Sequence, residues 1–277
     1  MPADLHLHTT ASDGRAAGAR RVEQAAALGL RAIAITDHNA ISAIPGARLV
    51  AGRWGVEVIA GVELDCDLQG VLTHVVGLFL DLERPDFQRG MLAAQDAWRG
   101  WIRAGMAELT RDTGIPLAWE DLDFTGDVPT GGDVLSALHR KGHQGMPVSW
   151  GDPGTPGVPL PLAARKVCEL IHRGGGVAIL AHPWKHLSSG TLTQPEEFEP
   201  VLVTGIDGWE CWRHGHTPEQ TDYLLRWAGH FGLLPSGGSD YHGPKQPGEP
   251  LAPFGVTTVP NEAVEALRER AERYRCE

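Results

Sequence analysis

Apolar residues along the chain follow two rhythms, short continuous runs and longer stretches with one apolar face, and the two alternate. Ala3–His8, Ala32–Thr36, Val56–Val62 and Thr73–Leu80 read as strands. Between them, Ala19–Leu28 reads as an amphipathic helix ending at Gly29, and Ala43–Arg53 as a second helix. Strands separated by helical stretches of this length predict parallel β/α units. The same rhythm returns late in the chain. Helices are expected at Leu162–Arg173, Pro218–Phe231 and Asn261–Tyr274, and strands at Val177–Ala181, Ile206–Cys211 and Leu233–Ser236.

The pattern breaks between Glu83 and Leu160. A helix carrying Trp98, Ile102, Met106 and Leu109 on related faces runs into Gly114-Ile115-Pro116. A short helix near Asp133–Lys141 follows, then a loop rich in glycine and proline over Gly142–Pro161. We read residues 1–82 and 161–277 as an α/β barrel, closed or nearly closed, and 83–160 as an inserted, mainly helical subdomain or lid. There is no internal repeat.

Composition narrows the class. A chain of 277 residues with 42% hydrophobic content can bury a full core and is not disordered. No apolar run is long enough to cross a bilayer, and no signal segment is evident. Cys66, Cys168, Cys211 and Cys276 have no metal-ribbon spacing, which fits reduced thiols and a cytoplasmic location. A formal charge of −11 argues against gripping long nucleic acid, but not against a small anionic substrate held by metal ions. Nothing in the chain indicates its oligomeric state.

The 13 histidines matter through their positions. In Asp4-Leu5-His6-Leu7-His8, the two imidazoles are two residues apart on an extended strand and therefore share a face. That pair alone is as compatible with structural histidines as with a chelate. The feature recurs, however. Asp37-His38 follows one predicted strand, Glu63 ends another, His182 follows a third, and Asp240-Tyr241-His242 follows a fourth. In β/α barrels the strand C-termini converge on one face, where catalytic groups sit. The candidate metal ligands are His6, His8, Asp13, His38, Glu63, His74, His182, Asp240 and His242, more than one ion needs. Imidazole and carboxylate donors without thiolate suit zinc, manganese or iron(II). Two neighbouring ions clamp the attacking and leaving oxygens of an in-line displacement.

Read in order, Asp4-Leu5-His6-Leu7-His8-Thr9, Ser12-Asp13-Gly14, Thr36-Asp37-His38, Gly61-Val62-Glu63, His74-Val75-Val76-Gly77, Ala181-His182-Pro183 and Gly238-Ser239-Asp240-Tyr241-His242 resemble the successive motifs of the polymerase and histidinol phosphatase (PHP) family. The resemblance implies a distorted (β/α)7 barrel, a trinuclear metal centre and phosphoester hydrolysis. It places a first ion on His6, His8, Glu63 and Asp240. A second ion falls on Glu63, His74 and His182, and a third on Asp13, His38 and His242. Asp37 is a candidate partner for the ring of His38. Length, the insertion and the stretch Glu210…His216-Thr217-Pro218-Glu219-Gln220 look most like the branch acting on nucleotide 3′,5′-bisphosphates and short RNA 5′ ends. That branch carries Pro-His-x-x-Arg in its insertion, where this chain has Pro129-Thr130-Gly131-Gly132.

The expectation is therefore a metal-dependent phosphoesterase that cleaves a mono- or diester by a metal-bridged hydroxide, with two to three divalent ions as cofactors. Glu63 and Asp240 would anchor the reacting centre, and His216 would assist departure of the alcohol. Lys185, Arg213 and His216 are candidate substrate contacts. The alternatives are a metal-dependent hydrolase of a less anionic triester, lactone or amide, and a 5′-3′ exoribonuclease acting on short RNA ends.

Overall fold

Seven strands lie side by side in chain order, β1 (Ala3–Asp4), β2 (Ala32–Ile35), β3 (Glu57–Leu68), β4 (Val71–Leu78), β5 (Val177–Leu180), β6 (Gly208–Arg213) and β7 (Leu234–Gly238). The computed structural model describes residues 2–145, 161–184, 198–244 and 252–276. The edges of the sheet approach each other beyond β1 and β7. There, the His8 N–H donates to the Tyr241 carbonyl at 3.1 Å and the Asp240 N–H to the His6 carbonyl at 2.9 Å, so the barrel is nearly closed.

Helices α1 (Gly18–Ala27), α2 (Ala43–Trp54), α3 (Pro85–Thr113), α4 (Gly131–Arg140), α5 (Ala164–Arg173), α6 (Glu199–Leu202), α7 (Pro218–Phe231) and α8 (Asn261–Cys276), with a short 3-10 helix at Trp119–Asp121, complete the described elements. The start of α7 shows how locally the sequence dictates this. Thr217 accepts from the Gln220 N–H, the Gln220 side chain accepts from the Thr217 N–H, and Pro218 occupies the first turn, where its missing donor is harmless. An outer apolar layer joins the strands to α1, α2, α5 and the start of α3 through Val22, Ile44, Phe87 and Ile171. An inner layer of small and branched residues, among them Ala34, Ile59, Val76 and Ile179, continues into Val264 and Leu267 of α8.

Helix α8 caps the end of the barrel where the parallel strands begin. Arg268 forms a two-pronged ion pair with Glu57 at the start of β3, and Arg270 and Tyr274 bond Asp207 just before β6. That leaves the opposite end for chemistry. Over 85–140, Trp98, Trp101, Ile102, Met106 and Leu109 of α3 meet Val134 and Leu138 of α4 in an apolar cluster of their own.

The topology departs from the expected parallel units at one point. β4 is antiparallel to both β3 and β5, and every other pairing is parallel. The link from β3 to β4 is the two-residue turn Gln69-Gly70, with φ of 54° and 85°, too short for a crossover helix but suited to a hairpin. β3 is also longer than expected, so Glu63 lies in its middle rather than at its end. The ladder of β1 covers only its first two residues, and the extended chain continues through the isolated bridge from Leu7 to Tyr241.

Candidate metal centre

All nine predicted ligands converge at the open end of the barrel, in three groups that share members, and a fourth group joins His38 and His74 to Asp65. In the first, His6 Nε2 lies 3.1 Å from His8 Nε2, and both approach Glu63 Oε2, at 3.1 and 3.2 Å. Asp240 Oδ1 completes it at 3.2 Å from His8 and 3.5 Å from His6. In the second, Glu63 Oε1 is 3.0 Å from His74 Nδ1 and 3.1 Å from His182 Nε2. The third joins Asp13 and His242, 3.3 Å apart, to His38 and to His8, whose ring stacks on His242 at 4.0 Å. Each Glu63 oxygen thus faces a different group, so this carboxylate is common to two of them.

Backbone and packing hold these side chains in place. His6 and His8 are fully buried, as are Leu5 and Leu7 between and beside them, in the extended chain that follows β1. Gly238 makes the closure possible, because a Cβ there would lie 2.4 Å from the His6 nitrogen and 2.9 Å from Asp4 Oδ1. His182 and Asp240 follow β5 and β7 with φ of 33° and 54°, a left-handed conformation that costs a non-glycine residue of order 1–3 kcal/mol. Such strain persists only where the surroundings enforce it, and here it turns both side chains toward Glu63.

Electrostatics show what the groups are suited to hold. Burial opposes ionisation of Glu63, yet His38, His6 and His74 outweigh it and hold its carboxyl well below the usual range. Asp240 is likewise held well below its ordinary value, against burial, by His6 and His8. Burial disfavours charge on His6 and His38, but Glu63 first, then Glu210 and Asp240 for His6 and Asp65 for His38, raise both well above an ordinary imidazole. At His182 burial prevails and the pKa falls. Imidazole nitrogens and carboxylate oxygens crowded this closely need positive charge between them. The donor set fits divalent cations. A tetrahedron of N and O ligands about 2.05 Å from zinc has edges of about 3.3 Å, and the first group spans 3.1–3.5 Å.

Three residues outside the predicted set support it. Glu210 on β6 lies 2.6 Å from His6 Nδ1 and accepts the His182 N–H at 2.6 Å, so the stretch assigned to it by resemblance does bear on the centre. Asp65 lies beside His38 and His74. Arg21, fully buried on α1, donates to the His8 and His242 carbonyls at 2.9 and 2.7 Å. Two of these carried a readable signal. Asp65 follows Glu63 by two residues on a strand, the rule that paired His6 with His8, and Arg21 falls on the apolar face of α1 beside Val22 and Ala25.

The other candidates are placed as follows. Arg213 bonds Asp240 Oδ2 at 2.6 Å, so its charge is directed first to that carboxylate. His216 is half-buried, with Nδ1 3.1 Å from the Cys211 carbonyl, and burial lowers its pKa. With His182, Trp184, Arg213 and His214 it lines a cavity of about 210 Å³. Asp37 accepts from Thr9 and Ser12 and so fixes the loop bearing Asp13, rather than the ring of His38. Lys185 lies outside the described residues. A cavity of about 330 Å³ opens beside Asp13, His38, Asp65 and His74, walled by Leu72, Trp98, Trp101 and the Thr130–Gly132 turn.

Residues 4–100 match the PHP domain family. A 5′-3′ exoribonuclease of Haemophilus influenzae is 31% identical over 259 residues, spanning 87% of this chain and 90% of that protein. The chain belongs to the PHP domain family. As a PHP protein it is a metal-dependent phosphoesterase. A 3′,5′-nucleoside bisphosphate phosphatase of Chromobacterium violaceum is 26% identical over 264 residues, covering 88% of each chain. A Bifidobacterium adolescentis structure described as a metal-dependent phosphoesterase superposes with a TM-score of 0.75 at 25% identity, covering 97% of this PHP chain and 96% of that one.

Proposed function

We propose that this PHP protein hydrolyses a small phosphate mono- or diester, of nucleotide size, using ions held in the three groups around Glu63. The observation that carries this is the division of the Glu63 carboxylate, one oxygen toward His6 and His8 and the other toward His74 and His182. His6, His8, Glu63 and Asp240 would hold one ion, Glu63, His74 and His182 a second, and Asp13, His38 and His242 a third, with zinc, manganese or iron(II) suited to the donors. Divalent ions there would supply Lewis acidity toward phosphoryl oxygens and would ionise water near neutral pH.

The chain's own residues do the rest. Arg213 neutralises the second Asp240 oxygen and so orients the first inward. His216, with one nitrogen on the Cys211 carbonyl, has the other to exchange a proton with the leaving alcohol oxygen. The cavity beside His38 and His74 has aromatic walls and, among the described residues, no lysine or arginine in its lining, which supports a ring-bearing ester over one with a second phosphate at that position. The described part of the 83–160 segment then acts as the lid over the substrate, since Trp98, Trp101 and Thr130–Gly132 form that wall; most of the Gly142–Pro161 loop lies outside the described residues. Buried free thiols at Cys66, Cys168 and Cys211, and no helix among the described residues able to cross a membrane, support a cytoplasmic enzyme.

The test is a screen of protein loaded with Mn²⁺, Zn²⁺ or Fe²⁺ against nucleotide monophosphates, 3′,5′-bisphosphates, simple diesters, a neutral triester and 5′-phosphorylated oligoribonucleotides. The expected result is turnover of mono- or diesters. Turnover of the triester alone would overturn the proposal. Release of single nucleotides from the oligoribonucleotide would favour the second reading, which rests on the 31% identity to the exoribonuclease.

A further inference from the structure

Asp65 is a buried acid that neither the family resemblance nor the mechanism above uses. It lies on β3 two residues after Glu63, on the same face, and directly opposite His74 on β4. Its Oδ1 is 3.0 Å from His74 Nε2 and its Oδ2 is 3.4 Å from His38 Nδ1, close charge contacts rather than aligned hydrogen bonds, and His38 Nδ1 has no other partner among the described residues. Those are the outer nitrogens of the two rings. The inner ones, His74 Nδ1 and His38 Nε2, face the two oxygens of Glu63 at 3.0 and 3.4 Å. Asp65 is itself fixed. The Asn39 amide donates to its Oδ2, its N–H donates to Asn39 Oδ1 at 3.2 Å, and Gln95 Nε2 of α3 donates to the Asn39 carbonyl at 3.0 Å.

We propose that Asp65 is a positioning residue that holds the protons of His38 and His74 on their outer nitrogens. Their inner lone pairs are then presented, as one unit, to two neighbouring cations. The proposal rests on the metal-holding reading of the centre. An imidazole in neutral form has one N–H and one lone pair, and a carboxylate at one nitrogen puts the proton there. One carboxylate serving two rings of different groups ties the second and third groups together. A ligand role for Asp65 fits less well, because its oxygens meet the ring nitrogens that face away from Glu63. The Asn39–Gln95 chain adds a mechanical link, since it runs from Asp65 to α3, whose Trp98 and Trp101 wall the adjoining cavity.

The test uses the full chain with Zn²⁺ alone, comparing wild type with Asp65→Ala and Asp65→Asn. Zn²⁺ affinities come from competition with a chelator, and ¹⁵N spectra of labelled histidine report the tautomers in the loaded protein. Loss of an outer carboxylate typically weakens a metal site about 10–100-fold. For Asp65→Ala we expect two of the bound equivalents to weaken to that extent while one keeps its affinity. The His38 and His74 signals should also lose their single protonation pattern. Asp65→Asn keeps the volume and one acceptor oxygen, so it should rescue one ring and one equivalent. Its readout stands by itself should Asp65→Ala not fold. Affinities within twofold of wild type with unchanged tautomers would overturn the proposal. So would loss of one whole equivalent with both tautomers unchanged, which would make Asp65 a ligand. No substrate enters the measurement, so failure here leaves the phosphoesterase proposal standing.

Discussion

Glu210→Gln replaces a buried carboxylate with its neutral isostere at a point where both oxygens are in use. Oε1 lies 2.6 Å from His6 Nδ1, and Oε2 accepts the His182 N–H at 2.6 Å. An amide has one acceptor oxygen and one NH2 group, so one partner must lose its acceptor. Should the oxygen stay with His182, the NH2 faces His6 Nδ1 and drives the ring proton to Nε2, into the space shared with His8, Glu63 and Asp240. Should the oxygen stay with His6, a buried backbone N–H at a residue with φ of 33° is left against another donor. A lost charge-assisted bond or an unsatisfied buried donor each amounts to about 1–3 kcal/mol. That is about 5- to 150-fold in an equilibrium constant, in line with the usual effect of removing an imidazole's outer partner. We therefore expect metal affinity at the His6 or His182 position to fall about 10–100-fold, with the same number of equivalents bound at saturation. Chelator competition with Zn²⁺ or Mn²⁺ measures it, and thermal melting of the metal-free protein separates affinity from folding. An affinity within twofold of wild type would show that Glu210 is a packing residue and that the orientation argument is wrong.

Glu63→Gln should remove metal from two groups at once, whereas His242→Ala should affect one, and elemental analysis of the purified proteins distinguishes them. A loss of a single ion in Glu63→Gln would refute the shared carboxylate. His216→Ala should lower kcat about 100-fold on alkyl phosphates and far less on aryl phosphates, whose leaving groups need no proton; equal losses on both would remove His216 from the proton path. Asp207, buried before β6, binds Ala178 N–H, His172, Arg270 and Tyr274 at 2.8–2.9 Å. Burial opposes its ionisation, but His172 and the hydrogen bonds prevail, and its folded pKa lies below that of the unfolded chain. Its stabilisation is therefore complete above about pH 4 and is lost as pH falls through the folded value. Asp207→Asn should cost about 3 kcal/mol in urea unfolding at pH 7, and the gap to wild type should close in acid. A gap independent of pH would refute the linkage.

Much of this was legible in residue order. The helices at Pro218–Phe231 and Asn261–Tyr274 follow from caps and periodicity that act within a few residues, and their observed bounds agree closely. The convergence of His6, His8, His38, His182, Asp240 and His242 was legible because parallel strands bring their C-terminal ends to one side. What pattern could not supply was strand direction. The run at Thr73–Leu80 looks the same whether it continues a β/α unit or returns as a hairpin, and only the shortness of the Gln69-Gly70 link distinguishes the two. The positioning groups were harder to read for a different reason. Glu210 lies between buried Trp209 and Cys211, and Arg21 beside buried Val22, and the groups that each bonds are brought together only by the fold. Asp65 was within reach of the rule already applied to His6 and His8, but its role depends on His74 arriving from a reversed strand.

That reversal is what makes the centre possible. In a wholly parallel barrel, the strand after β3 would begin at the capped end, and a histidine near its start would lie beside α8, away from the other ligands. Because β4 runs back, its first half lies at the open end, and the register sets Asp65 against His74 and Glu63 against Val76. Directly opposed residues in an antiparallel pair point to the same face with Cβ atoms about 5 Å apart, so Glu63, Asp65 and His74 project together. A slip of one residue would turn His74 to the other side of the sheet. The two-residue turn that fixes this register is therefore as much a part of the metal centre as the side chains it aligns.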